Sequence, residues 1–170
     1  MTIKRPPTKP ATPSPLKFPD GFVLIQDTRE QTPLFTRLPP GLTIKSQSLK
    51  NGDYSIHGFT HAFAIERKMI SDLHSYIGKE RTDKTTPKME RFREMTDDYG
   101  WVGLAIEGTE DDCYHANQYS SLTINQIRGA LTSFRVRYGV QIYFHPDRKF
   151  VSRWILESAV KFYNMKREVR

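Results

Sequence analysis

The sequence has one cysteine, Cys113, in 170 residues. That excludes an intrachain disulfide framework and a cysteine-rich zinc site, and it suits a reducing compartment. There is no apolar run long enough to cross a bilayer, and the N-terminus lacks the apolar core of a signal peptide. No membrane partner is expected. The expected location is intracellular: the cytoplasm and its nucleoid for a bacterial or phage chain, the nucleus for a eukaryotic one. Acidic residues are missing from the first 18 positions, where Lys4, Arg5, Lys9 and Lys17 stand among five of the eleven prolines. Such a composition buries too little surface to offset its ordering entropy, so residues 1–18 read as a disordered, basic, proline-rich leader.

What remains is globular in composition. The whole chain is 37% apolar and 26% charged, and 19–170 has the makings of one domain around one core. The formal net charge is +7, of which the leader carries four, leaving about +3 for the body. That balance favours a polyanionic partner without demanding one. No internal repeat is present.

Hydrophobic patterning predicts an α/β fold. The run Phe22 to Ile25 reads as a buried strand entering the polar loop Asp27 to Glu30, and 43–68 reads as an antiparallel meander broken by the turn signal Asn51-Gly52-Asp53. Ser71 is a candidate cap for a helix with Leu73, Tyr76 and Ile77 on one side, stopped by Gly78. Met89, Phe92 and Met95 give a second helix, and Trp101 to Ile106 a strand. An acidic irregular stretch follows to Ser121, then a helix carrying Ile124, Ile127, Leu131 and Phe134. The strand Val140 to Phe144 and a long closing helix complete the chain. Strands alternating with helices at this spacing mean parallel crossovers, so the sheet should be mixed: an antiparallel meander continued by parallel βα units, flanked by helices.

The stretch Gly52 to Asp72 concentrates the chemistry. Glu66 and Lys68 are two apart on a strand and share a face, with Arg67 pointing the other way. A buried Lys68 needs a carboxylate or a bound anion. Glu66, Asp53 across the turn and the lysine beside them are what metal-assisted phosphodiester cleavage requires, with oxygen ligands for a hard cation and a positive group for developing charge. Asp27 and Glu30 could add further carboxylates. Plainer roles exist for each: turn chemistry for Asp53, a surface ion pair for Glu66 and Lys68, complementing the helix dipole for Asp72, and a tie to a neighbouring element for Arg67. His57 and His61 could lie near the site, and the five histidines share no metal-ligand spacing. Lys79, Arg81, Lys84 and Lys88 flank it in sequence and are candidate phosphate contacts.

The order GDY, ERK, then Asp72 four residues after Lys68 resembles the signature of the ERCC4-type nuclease domain shared by XPF and Hef. DTREQTPLF from Asp27 to Phe35 is similar to the VxDxRE motif that opens it, and LAIEG and ALTSFRVRYG are similar to later motifs. The likeness runs from about residue 22 to 165, and in its shortness the chain looks like phage or bacterial members. It implies a restriction-endonuclease-like core and hydrolysis of branched, flapped or otherwise structured DNA with Mg²⁺ or Mn²⁺, without a small-molecule cofactor. It implies metal ligation by Asp53 and Glu66, joined by Asp27, with Lys68 orienting or deprotonating water. Arg67, Asp72, Asp27 and Glu30 fall at motif positions needed for activity, and Glu107 at one where a structural role is expected; Arg29 falls inside the opening motif and is a candidate DNA contact. Relatives pair their nuclease domains through helical faces, so a homodimer or heterodimer is an implied partner. The alternative is a catalytically silent DNA-binding or dimerisation module supporting a partner nuclease, against which stands the presence of every motif acid and the lysine. Larger relatives carry a helix-hairpin-helix DNA grip, for which no segment is expected here.

Overall fold

The structure, a computed structural model, describes residues 14–82, 88–97, 100–115 and 120–168, excluding the side chains of 81, 82, 88, 89, 91, 96 and 97. The elements in chain order are β1 (Leu24–Gln26), β2 (Ile44–Ser46), β3 (Tyr54–Ile56), β4 (Phe63–Met69), α1 (Ile70–Thr82), α2 (Lys88–Asp97), β5 (Trp101–Glu107), α3 (Glu110–His115), α4 (Ile124–Tyr138), β6 (Gln141–His145) and α5 (Arg148–Glu168). The strands form one six-stranded sheet in the order β2-β1-β3-β4-β5-β6.

The sheet is mixed, as the pattern predicts, but its antiparallel part is β1, β3 and β4. β2 is not a member of the meander: it lies outside β1 and runs parallel to it. Its neighbour is chosen by a non-local pairing that the local alternation of Ile44 and Leu49 does not encode. From β4 onward the pairing is parallel, β4 with β5 and β5 with β6, each pair joined by crossover helices.

Alternation along β4 divides the core in two. Phe63 and Ile65 face one layer, where α5 lays Val151, Ile155, Ala159 and Phe162 across the sheet. Ala64 faces the other with Leu104 and Ile106, covered by Leu73 and Ile77 of α1, Phe92 of α2, and Ile127 and Leu131 of α4. The residues that follow on β4 keep this alternation but are charged, so the sheet's apolar interior ends where its chemistry begins.

Three local expectations change. α1 runs through Gly78 to Thr82 instead of stopping there. A glycine inside a helix costs only about 1 kcal/mol, and the burial of Leu73, Tyr76 and Ile77 outweighs it. The stretch after β5 is not wholly irregular, since Glu110–His115 forms a short helix. The leader expected over 1–18 ends earlier: Leu16 and Phe18 pack against the core, with Phe18 stacked on Phe22 at 5.8 Å between ring centroids, and 1–13 lie outside the described residues. α4 starts on a capping box in which Thr123 and Gln126 exchange side-chain and backbone hydrogen bonds, and it ends on Gly139 in the left-handed region.

Candidate functional site

Asp53 is placed by the turn before it. Gly52 has φ +77°, and a Cβ there would stand 3.0 Å from the Ile65 carbonyl oxygen, so glycine lets the turn lie directly on β4. The Asp53 N–H then donates to the Ile65 carbonyl at 2.8 Å, and its own carbonyl accepts from the Asp27 N–H at 2.8 Å. The carboxylate turns back on β4, where Oδ2 accepts the Arg67 N–H at 2.7 Å. Burial, and then the nearby Glu66 carboxylate, push the Asp53 carboxyl up to about 7.

Glu66 and Lys68 project from β4 into the same cleft, which has a volume of about 270 Å³. Glu66 is 8% exposed, and the Lys68 ammonium donates to its Oε1. The same ammonium lies 3.3 Å from the Arg67 carbonyl oxygen and 5.7 Å from the centroid of the Tyr76 ring. Burial opposes its charge, but the carboxylates of Glu66, Asp53 and Asp72 together overcome that and raise its pKa. The carboxylates thus favour the charged form of Lys68, which suits it to holding an anion or a water.

Asp27 borders this cleft but is committed elsewhere. Oδ1 accepts the Arg29 backbone N–H and Nε, both at 2.8 Å, and Oδ2 accepts Arg29 Nη2 at 3.0 Å and the Leu49 N–H at 2.6 Å. The Arg29 guanidinium, foremost, and these backbone donors hold the Asp27 carboxyl down to about 2. Among the described residues, no three His, Cys, Asp or Glu side chains are grouped so as to hold a metal; Asp27 lines the same cleft as Asp53 and Glu66, with both its oxygens engaged by Arg29 and Leu49. Two carboxylates do converge, with Asp53 and Glu66 lining one cleft. That donor set fits Mg²⁺ or Mn²⁺, hard cations that take one or two carboxylates and complete their shell with water and substrate phosphate.

Glu30 and Arg67 are not brought to the cleft. The Arg67 guanidinium lies on the opposite face, where Nη2 meets Glu30 Oε1 and the Thr32 carbonyl, each at 3.1 Å. Its Nη1 donates to Glu107 Oε1, and Arg148 at the start of α5 approaches the same Glu107 oxygen at 3.4 Å. This cluster joins the loop after β1 to β4, β5 and α5. Glu107 accordingly has a structural setting, and Arg67 serves the site through its backbone N–H. Asp72 is exposed in the first turn of α1 and reaches the cleft by its field on Lys68.

Arg29 lines the cleft with its side chain 70% exposed. Lys79 is exposed on α1 and does not line it, and His57 and His61 are exposed and do not line it either. Lys84 lies outside the described residues, as do the side chains of Arg81 and Lys88. Sequence reasoning missed Lys50, Asn51 and Phe92, which also line the cleft. The first two immediately precede the Gly52-Asp53 turn, which was the signal available for them; Phe92 was legible only as a core residue of α2.

The model of the ERCC4 domain matches residues 26–157. Comparison with curated proteins finds no match. Among solved structures the chain is similar to XPF from Aeropyrum pernix, at 20% identity and a TM-score of 0.59, with 85% of this chain and 68% of that chain covered. It is also similar to XPF from Aeropyrum pernix in complex with DNA, at 18% identity and a TM-score of 0.56, with 85% and 66% covered. At these identities the likeness to the solved structures is one of fold, over about two thirds of their length.

Proposed function

The chain belongs to the ERCC4 domain family, and from that membership we propose that it is a divalent-metal-dependent DNA endonuclease acting at branched, flapped or otherwise structured DNA. The observation that carries this reading is the convergence of Asp53 and Glu66 on one cleft with the Lys68 cation beside them. The solved relative in complex with DNA supports DNA as the polymer bound.

Asp53 and Glu66 would hold Mg²⁺ or Mn²⁺, which when bound supplies Lewis-acid polarisation of a phosphate and a water of lowered pKa. The Arg67 N–H fixes the Asp53 carboxylate on one side, and the turn at Gly52 fixes its backbone. Lys68, whose ammonium stands beside Glu66, would orient the attacking water or offset charge on the phosphate. Arg29 presents its outer edge to the approaching strand while its inner edge neutralises Asp27. The buried cluster of Arg67, Glu30 and Glu107 keeps these elements in register.

The second reading, a silent DNA-binding or dimerisation module, is favoured by one observation: both Asp27 oxygens accept from Arg29. Labelled flap, fork and linear duplex substrates, incubated with and without Mg²⁺ or Mn²⁺, separate the two. Metal-dependent product from a branched substrate is the expected result. Binding without product in either metal would establish the silent module instead. Pairing with a second chain is part of the proposal too. A groove of about 720 Å³ beside α5, bordered by Trp101, Trp154 and Met165, leaves apolar surface on that helix, and sedimentation across a concentration series tests self-association.

A further inference from the structure

We propose that Lys50 is a substrate-contact residue, whose ammonium receives a DNA backbone phosphate at the mouth of the cleft and so sets the position of the strand over Asp53 and Glu66. The proposal rests on the nuclease reading above and adds to it a residue outside every motif that marks the family.

Among the described residues, three cationic side chains line the cleft: Arg29, Lys50 and Lys68. Two are engaged. Arg29 commits Nε and Nη2 to Asp27 and the Leu49 carbonyl, and Lys68 commits its ammonium to Glu66 and the Arg67 carbonyl. Lys50 is exposed and makes no hydrogen bond or ion pair with another described residue. Among the described cations of the cleft, Lys50 is thus the one whose charge is not already matched by a carboxylate.

Lys50 also differs from an ordinary surface lysine in the backbone that carries it. On one side Leu49 is buried and gripped at both of its polar groups, its N–H by Asp27 Oδ2 at 2.6 Å and its carbonyl by Arg29 Nη2 at 2.7 Å. On the other, the Asn51 amide reaches Met95 Sδ at 3.3 Å and Gly52 makes its turn against β4. The Cα of Lys50 is therefore fixed relative to both carboxylates, while its four-carbon stem stays adjustable. A compact point charge on a flexible stem, tethered to a rigid base, suits contact with a backbone phosphate independent of sequence.

The test is equilibrium binding of a short flap duplex by the full chain across a salt series, with Ca²⁺ present to fill the carboxylates without supporting cleavage. Removing one phosphate contact lowers the slope of log affinity against log salt by about one. Lys50→Ala should show that loss and Lys50→Arg should not. Lys161→Ala, which removes the same charge from α5 across the sheet, should keep the wild-type slope. An unchanged slope in Lys50→Ala, or an equal loss in Lys161→Ala, overturns the proposal. A wild-type chain with no affinity for any DNA would overturn the nuclease reading itself, a result distinct from either.

Discussion

The Oδ2 oxygen of Asp53 and the backbone N–H of Arg67 are 2.7 Å apart, so one residue of the turn before β3 is hydrogen-bonded to the peptide that joins Glu66 to Arg67. The Asp53 carboxylate is thus held by main chain while its charge faces Glu66. Its usual carboxyl value is 3.8 and its value in the fold is about 7. Below 3.8 both folded and unfolded states hold the proton, and the contribution of Asp53 to stability is complete. As pH rises from there through about 7, the unfolded chain releases the proton first and the contribution is lost. In chelator, the unfolding temperature should therefore fall across that window. Asp53→Asn, which keeps an acceptor for the Arg67 N–H, should flatten the fall. Mg²⁺ at pH 8 should raise the wild-type midpoint and leave Asp53→Asn nearly unmoved, as read by circular dichroism.

Glu66→Ala and Lys68→Ala should each lower the cleavage rate by roughly 10²-fold or more, the scale on which removing an acid, base or charge-stabilising group acts. The two should differ in stability. Lys68→Ala strands Glu66, 8% exposed, without its cation, whereas Glu66→Ala leaves Lys68 with Asp53 and Asp72 still acting on it. Single-turnover cleavage with thermal melts on the same samples resolves both effects. Equal activity of Lys68→Ala and wild type would remove the lysine from the chemistry.

Arg67 is predicted to fail differently. Its side chain and that of Glu30 are each 7% exposed and that of Glu107 is 10% exposed, so Arg67→Ala leaves the buried Glu30 carboxylate without its cation and Glu107 with Arg148 alone, at 3.4 Å. Breaking a buried pair in this way costs about 3 kcal/mol or more. Arg67→Lys should recover only part, because one ammonium cannot reproduce the fork that spans Glu30 and Glu107. The expected signature is a lowered urea midpoint in both variants, with activity lost in proportion to unfolding.

Gly52→Ala should harm the site more than the fold. The new Cβ would lie 3.0 Å from the Ile65 carbonyl and 3.2 Å from Ala64 Cβ at a φ of +77°, and the left-handed conformation alone costs an alanine roughly 1–2 kcal/mol. Relief comes by moving the turn off β4, which carries Asp53 away from Glu66. A modest fall in melting temperature with a much larger fall in metal affinity, measured by calorimetry, is the expected pair of results.

Much of this was legible in the sequence, for identifiable reasons. Glu66 and Lys68 share a face because strand period is two, and Asp53 follows a turn that Gly52 announces, so both could be read locally. The parallel half of the sheet followed from strands alternating with helices. What was not legible depends on conformation or on distant pairing. That Asp27 folds its charge onto Arg29 is decided by the backbone of the loop they share, which brings the Arg29 N–H and guanidinium to the same oxygens. That β2 lies outside β1 is decided by a parallel pairing across the intervening 27–43 stretch. Glu30 reads from sequence as a further carboxylate for the site because, with Asp27, it ends the first apolar strand; its partner is the guanidinium on the far side of β4, a contact spanning 37 positions.

β4 is antiparallel to β3 on one side and parallel to β5 on the other, and it alternates between two charge systems, Glu66 and Lys68 toward the cleft and Arg67 toward Glu30 and Glu107. Sliding this strand by one position would exchange them, turning a guanidinium into the cleft and two catalytic candidates into a cluster built to neutralise a cation. One residue inserted into or deleted from the 57–62 loop and absorbed by β4 would therefore abolish chemistry and burial of charge in a single step.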